Sequence, residues 1–128
     1  MHADNKDGWS VEGPYLDVAV EVFAMLADTT RLRIILALRD TELSVNHLAE
    51  IVDKSPAAVS QHLAKLRLAR IVVTRQEGQR VFYRLANEHA RQLVTDAIFQ
   101  AQHAIEANPI HHRGDLPAPE STWGAARD

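Results

Sequence analysis

Residues 44–85 carry the sequence SVNHLAEIVDKSPAAVSQHLAKLRLARIVVTRQEGQRVFYRL, which begins with two short helical patterns. Ser44 is a residue type that caps helices, and the apolar residues after it recur at helical spacing. Ser55 and Pro56 mark the next start, because serine caps a helix and proline suits its first position. We therefore expect one short helix before these two residues and a second helix after them, running to about residue 69.

A strand–turn–strand pattern follows the second helix. Residues 71–75 are rich in β-branched side chains, Glu77-Gly78 is a turn signal, and residues 81–85 form the return strand. Two short helices followed by a hairpin are typical of a winged helix-turn-helix, a module that reads DNA.

The flanking sequence completes a mainly α fold with a small β-hairpin wing. A helical apolar pattern starts at Tyr15, a second helix follows cap-type residues at 28–30, and Asn87 caps a last helix ending near residue 107. We expect a flexible arm at residues 1–14, one DNA-binding and dimerisation domain at residues 15–107, and a flexible tail at residues 108–128.

Composition narrows the class of protein. The chain has 128 residues, 46% of them hydrophobic and 24% charged, as in an ordinary globular domain. It shows neither a long apolar run nor a signal-peptide core, so we expect a cytoplasmic protein without a membrane partner. Cysteine is absent, which excludes disulfides and thiolate metal sites.

Charge is segregated along the chain. Residues 54–84 contain seven basic side chains and one acidic side chain, a net +6 within a chain of net −3, so the remainder carries −9. A basic centre between acidic ends is the electrostatic pattern of a nucleic-acid interface. Double-stranded operator DNA is therefore the expected partner.

The expected DNA contacts lie on the outer side of the second helix and on the hairpin. Gln61 can pair with both hydrogen-bonding positions of adenine, and Arg80 suits a phosphate. His62 is open to two interpretations, a DNA contact or a partly buried packing residue. The full expected set is Ser55, Ala57, Ala58, Ser60, Gln61, His62, Lys65, Arg75, Gln79 and Arg80.

Two histidines of the last helix suggest a metal site shared between subunits. His89 and His103 are fourteen positions apart, about 40° short of four turns, and thus share a face while standing about 21 Å apart along the axis. Metal–nitrogen bonds are only about 2 Å long, so one helix cannot bring both histidines to one ion. An antiparallel second copy can, which predicts a homodimer.

Further candidate ligands surround this pair. His111 and His112 follow the helix in the expected tail and could complete a higher coordination number. Imidazole and oxygen donors without sulfur suit Ni(II) or Co(II), with Zn(II) as a further candidate. Weaker candidate ligands are Gln102, Glu88 and His2, and other oxygen donors nearby are Asp96 and Glu106.

Several blocks in order resemble the ArsR/SmtB family of metalloregulatory repressors. They are residues 23–38 (FAMLADTTRLRIILAL), residues 60–66 (SQHLAKL) and residues 81–85 (VFYRL), and the resemblance covers about residues 15–107. It implies a homodimer that binds operator DNA without metal and leaves it when an inducer binds.

The resemblance also bears on the ligands. The zinc-sensing pattern has an aspartate two positions before the first histidine and a histidine eleven positions after it, where this chain has Asn87 and Gln100. The end of the chain is more similar to nickel- and cobalt-sensing members. That similarity implies His89, His103, His111 and His112 as ligands, although Gln102 stands where those members have a glutamate.

The sequence leaves three alternatives to a metal-responsive repressor. The first is a family member whose inducer is not a metal. The second is a histidine-based enzyme, which is disfavoured because the chain has no catalytic triad pattern, phosphate-binding glycine loop or H-E-x-x-H motif. The third is a protein-interaction module, against which the basic segment argues.

Overall fold

The computed structural model describes residues 10–107 and contains five helices and one antiparallel hairpin. The elements in order are α1 (Leu16–Leu26), α2 (Thr29–Ala37), α3 (Val45–Val52), α4 (Pro56–Leu68), β1 (Val72–Glu77), β2 (Arg80–Leu85) and α5 (Glu88–Glu106). The predicted winged helix-turn-helix is confirmed. The expected arm lies mostly, and the expected tail wholly, outside the described residues, together with His2, His111 and His112.

Four of the helices begin where the sequence places a capping side chain. In each case the side-chain oxygen accepts a hydrogen bond from a backbone N–H two or three positions further on, as this capping geometry requires. The caps are Asp28 for α2, Ser44 for α3, Ser55 for α4 and Asn87 for α5. Local sequence alone therefore sets the start of these helices.

The core lies where α2, α3 and α4 meet. Ile34 and Ile35 of α2 are fully buried, as are the apolar residues Val59, Leu63 and Leu66 along one side of α4. Val94 of α5 joins the same cluster, and α5 packs against α2. Because the buried side of α4 is fixed by this packing, its opposite side is held facing solvent.

The hairpin turn is one step further along than the sequence pattern indicates. Glu77 pairs with Arg80 as the last step of the ladder, so the turn consists of Gly78 and Gln79 and not of Glu77-Gly78. Gly78 has a φ of +64°, a conformation that is easily reached only without a side chain. The strands are thus one backbone pair longer than the local turn signal predicts.

The wing is also joined to the segment before α3. Leu43 pairs with Tyr83 of β2 through two backbone hydrogen bonds, of 3.0 and 2.8 Å. This isolated β-bridge fixes the hairpin relative to the helix-turn-helix. None of the helices within residues 10–107 is long and apolar enough to cross a membrane.

Candidate nucleic-acid interface and metal-ligand positions

The outer side of α4 is exposed and lined by small or polar side chains. Ser60, Gln61 and Lys65 are exposed, while Ala58 is partly buried. Ser55, which the sequence predicts as a DNA contact, uses its side-chain oxygen to accept a 3.1 Å hydrogen bond from the Ala58 backbone N–H. The arrangement suits close approach of a helix to base edges in a major groove.

The basic residues of the central segment are all exposed in the structure. They come from the α3–α4 connection, from α4, from the residues after it and from the hairpin: Lys54, Lys65, Arg67, Arg70, Arg75, Arg80 and Arg84. Exposed positive side chains favour binding to phosphates. The basic residues that are concentrated in this segment of the sequence are therefore all accessible to solvent.

Arg75 of the wing is engaged within the protein. Its guanidinium donates hydrogen bonds to the Glu42 carboxylate, one from Nε at 2.8 Å and a second from Nη2, and lies 3.4 Å from Glu77. The hydrogen bonds from Arg75 lower the pKa of Glu42, and Glu42 in turn raises that of Arg75. Sequence reasoning did not find this pair, because its members are 33 positions apart.

Phe82 lies between the two wing arginines. The guanidinium carbons of Arg75 and Arg80 stand 4.9 and 5.2 Å from its ring centroid, within cation–π range. Gln79 and Arg80 lie at the exposed tip of the hairpin. Two wing arginines are predicted to contact DNA. Within the described residues, the Arg75 guanidinium is bound to carboxylates, whereas that of Arg80 is not.

His62 faces the protein interior as well as solvent. Its Nδ1 lies 3.1 Å from Nη1 of Arg31 and 3.8 Å from Oδ2 of Asp28. Burial is the largest cause that lowers the pKa of His62, and the nearby Arg31 lowers it further, while Asp28 opposes both. This position agrees with the packing interpretation, and a DNA contact by His62 stays a prediction.

Arg31 is a functional candidate that sequence reasoning missed. Its side chain is only 9% exposed, and its Nε donates a 2.7 Å hydrogen bond to the Met25 carbonyl. A signal was present, because Arg31 precedes Ile34, Ile35 and Leu38 at helical spacing and so occupies a position on the buried side of α2.

The two histidines of α5 are exposed and lie near opposite ends of the helix. By helical geometry they point roughly 100–180° away from Ala90 and Val94, the buried residues of α5. Within residues 10–107 of one chain, no three histidine, aspartate or glutamate side chains come together to hold a metal. One chain therefore does not unite His89 with His103.

The neighbouring oxygen donors are partly engaged. The Asn87 side chain accepts a 2.9 Å hydrogen bond from the His89 backbone N–H as the cap of α5, which occupies its oxygen. Gln92 donates to Asp96 at 3.1 Å, and Gln102 donates to Glu106 at 3.5 Å. Asp96 lies by helical spacing on the same side of α5 as the two histidines, but about 10 Å along the axis from each of them, which is too far to share an ion with either within one helix.

Large apolar side chains are exposed on both terminal helices of the single chain. On α5 they are Leu93, Ile98, Phe99 and Ile105, and on α1 they include Leu16, Val20 and Phe23. Leu16, Val20 and Phe23 lie on one side of α1 by helical spacing, within the apolar pattern that starts at Tyr15, and the chain's own core does not cover that side. Such surfaces are characteristic of protein–protein interfaces.

Comparison with known proteins places these features in a family. The pattern of the bacterial regulatory protein arsR family matches residues 28–74. The HTH-type transcriptional regulator KmtR of Mycobacterium tuberculosis is 59% identical over 96 residues, covering 75% of this chain and 74% of that protein. A cadmium resistance transcriptional regulatory protein CadC homolog of Staphylococcus aureus is 42% identical over 83 residues, 64% of this chain and 68% of that protein.

A solved structure gives the same fold. A homodimeric winged helix-turn-helix DNA-binding domain from Mycobacterium bovis aligns with a TM-score of 0.62 and 30% identity, over 77% of this chain and 89% of that one. These relatives are transcriptional regulators, not enzymes. With its capped helix pair, its wing and its match to such regulators, this chain belongs to the ArsR/SmtB family of transcriptional regulators.

Proposed function

We propose that this protein is a metal-responsive repressor that binds operator DNA as a metal-free homodimer and is released by Ni(II) or Co(II), with Zn(II) as a further candidate. The metal site would lie between the α5 helices of two subunits. The observation that carries this proposal is the position of His89 and His103, which are exposed, point roughly 100–180° away from the buried residues of α5 and stand about 21 Å apart along it.

An antiparallel pair of α5 helices would unite these histidines. In such a pair His89 of one subunit stands near His103 of the other, and the arrangement occurs twice by symmetry. The donor set fits the proposed ions, since it offers imidazole and carboxylate groups and the chain has no cysteine. His111 and His112 of the tail remain candidate additional ligands.

The surface of α4 and the wing supports the DNA-binding part. The exposed basic residues favour phosphates, and the exposed polar side of α4 suits a major groove. The homodimeric state of the Mycobacterium bovis domain supports a dimer that presents two α4 helices to DNA. Two such helices are needed for an operator with two half-sites.

Release follows from thermodynamic linkage between the two sites. When bound, the metal would join histidines of both subunits and so favour one relative orientation of the α5 helices. If that orientation misplaces the two α4 helices relative to the half-sites, DNA and metal weaken each other's binding by the same factor. Couplings of this kind are typically about 1–3 kcal/mol.

The test is DNA binding with and without metal. Fluorescence anisotropy of labelled DNA from upstream of the protein's own gene would be measured with chelated protein, and then with Ni(II), Co(II) and Zn(II) separately. We expect tight binding without metal and release by at least one ion. Since couplings are about 1–3 kcal/mol, the loss of affinity should be about 5- to 150-fold.

Single substitutions separate the two sites. His89→Ala and His103→Ala should remove the metal response and leave metal-free DNA binding unchanged, because both side chains are exposed on α5 and neither belongs to the predicted DNA contacts. His47→Ala is the matched control, an exposed histidine on α3, and should respond like the parent protein. Tight DNA binding that is indifferent to all three ions would contradict the metal part of the proposal.

A further inference from the structure

A polar cluster lies beneath α4, where α4 packs on α2. We call α4 the recognition helix, because it is the helix proposed to enter the major groove. The cluster consists of Asp28, Arg31 and His62, with the His62 Nδ1 3.1 Å from the Arg31 guanidinium and 3.8 Å from the Asp28 carboxylate. Asp28 also caps α2 by accepting a 2.9 Å hydrogen bond from the Arg31 backbone N–H. The cluster therefore connects the start of α2 with the middle of α4.

The chemistry of the contact specifies the state of His62. A guanidinium only donates hydrogen bonds, so Nδ1 of His62 must be the acceptor and the ring proton must sit on Nε2. The Arg31 side chain is held in place by its second hydrogen bond, from Nε to the Met25 carbonyl at 2.7 Å. A neutral His62 is thus the form that ties α4 to a fixed arginine.

We infer that neutral His62 is a positioning residue, which holds the recognition helix in its DNA-binding orientation through Arg31, and that protonation of His62 weakens operator binding. This inference rests on the DNA-binding part of the proposed function and not on the metal part. His62 acts in this scheme through Arg31, without touching DNA.

The charges around the ring set the direction of the effect. A protonated Nδ1 would point a donor at the donors of Arg31, so the ring would have to turn towards Asp28. Lys54 and Lys65 add positive charge near the ring. Burial is the largest cause that lowers the pKa of His62 below its ordinary 6.5; Asp28 opposes it, and Arg31 and then the two lysines lower the pKa further. The contact with Arg31 is therefore complete above pH 6.5 and is lost only as the pH falls through the lowered pKa of His62 in the folded protein.

A direct DNA contact by His62 predicts the opposite dependence of DNA affinity on pH. Protonation of a histidine at a phosphate adds a charge-assisted hydrogen bond and should strengthen binding as the pH falls. The pH dependence of affinity therefore separates a positioning role from a contact role. The chain has seven histidines, so the comparison must be made between variants.

The experiment measures metal-free operator affinity between about pH 7.5 and about pH 5.5 at constant salt. The parent protein would be compared with His62→Asn and with His47→Asn, the control on α3. Asparagine places an oxygen near the position of Nδ1 and can accept from Arg31, but it does not titrate. We expect affinity to fall on acidification in the parent and in His47→Asn, and to fall clearly less in His62→Asn.

A second readout needs neither DNA nor a variant. Nitrogen-15 spectra of labelled histidines in the free protein should show the Nε2–H form of His62 at neutral pH, with a titration below the ordinary 6.5. A proton on Nδ1 at neutral pH would overturn the inference. So would equal pH profiles of the parent and His62→Asn, or a gain of parent affinity on acidification that His62→Asn removes.

The outcomes for the inference and for the proposed function are distinct. Loss of metal-triggered release leaves the His62 result standing, because the pH experiment is done without metal. Failure of the parent to bind any operator DNA would refute the DNA-binding part of the proposal and the inference with it. If His62→Asn has the same pH profile as the parent protein while metal still releases the parent from DNA, the inference alone is refuted.

Discussion

Arg31 is a charged residue at a position that the helical spacing assigns to the core. Its guanidinium is nearly buried, yet it has two partners, the Met25 carbonyl and the His62 ring. Burying a charge is costly unless hydrogen bonds compensate for the water that it loses. Arg31 thus stabilises the α2–α4 contact only because both partners are in place.

Replacement of Arg31 tests this at the level of one side chain. Arg31→Met keeps much of the apolar stem but leaves the Met25 carbonyl and His62 without their donor. Hydrogen bonds to charged groups contribute about 1.5–3 kcal/mol, so we expect the free energy of unfolding to fall by about 2 kcal/mol. Urea denaturation followed by circular dichroism would measure it.

The control for that experiment is Arg33→Met on the same helix. Arg33 is exposed, so its replacement should change the free energy of unfolding by less than about 0.5 kcal/mol. Equal destabilisation by the two substitutions would show that the loss of an arginine from α2, and not the buried contact, is responsible.

At the scale of elements, the wing is a hairpin held in place by residues that are distant from it in sequence. Leu43 extends its sheet by one bridge, and Glu42 next to it binds Arg75 of β1. The hairpin itself follows from β-branched residues around a glycine turn. Its anchoring depends on residues that precede α3, which strand patterns do not reveal.

Glu42 neutralises a basic side chain of the expected DNA surface. Glu42→Gln should weaken its hold on Arg75 and make the guanidinium available to a phosphate. Since each phosphate contact contributes about −0.9 to the slope of log affinity against log salt, we expect tighter nonspecific DNA binding and a slope steeper by up to about 0.9. Titrations of random duplex DNA at several salt concentrations would show it.

Glu50→Gln is the matched control for Glu42→Gln. It makes the same charge change at an exposed position on α3. A larger effect at Glu42 would identify Arg75 as the group released. The same increase in both variants would mean that only overall charge matters and that Arg75 does not reach the phosphates.

At the scale of the whole molecule, the two terminal helices carry apolar surface that one chain leaves uncovered. Phe99 of α5 is 57% exposed and Phe23 of α1 is 59% exposed. Because Leu93 and Phe99 flank the side of α5 that carries the histidines, the proposed dimer and the proposed metal site depend on the same helix. Dimerisation would cover the apolar side chains and bring together ligands that one chain keeps apart.

A charge placed on that surface should separate the subunits. Phe99→Glu should raise the dimer dissociation constant by more than about tenfold, since burying an unpaired carboxylate costs more than about 1.4 kcal/mol. Sedimentation over a range of concentrations would measure the constant. Ile51→Glu is the control, at a residue of α3 that is 55% exposed. An unchanged constant in Phe99→Glu would place the interface elsewhere.

The sequence by itself determined the helix starts, the winged helix-turn-helix and the basic surface. Ser44, Ser55-Pro56 and Asn87 act on backbone groups two or three positions away, and the core spacing of α4 is equally local. Such short-range signals can be read without a structure. The turn was misplaced by one residue because cross-strand pairing of Glu77 with Arg80 competes with the local turn signal.

Only the tertiary structure decided which polar groups meet. His62 and Arg31 are 31 positions apart, and Glu42 and Arg75 are 33 apart, so folding and not spacing sets their distances. The spacing of His89 and His103 showed that one helix cannot unite them, and the structure places both on an exposed side of α5. Local patterns specify elements, whereas contacts between distant residues arise only when the elements pack.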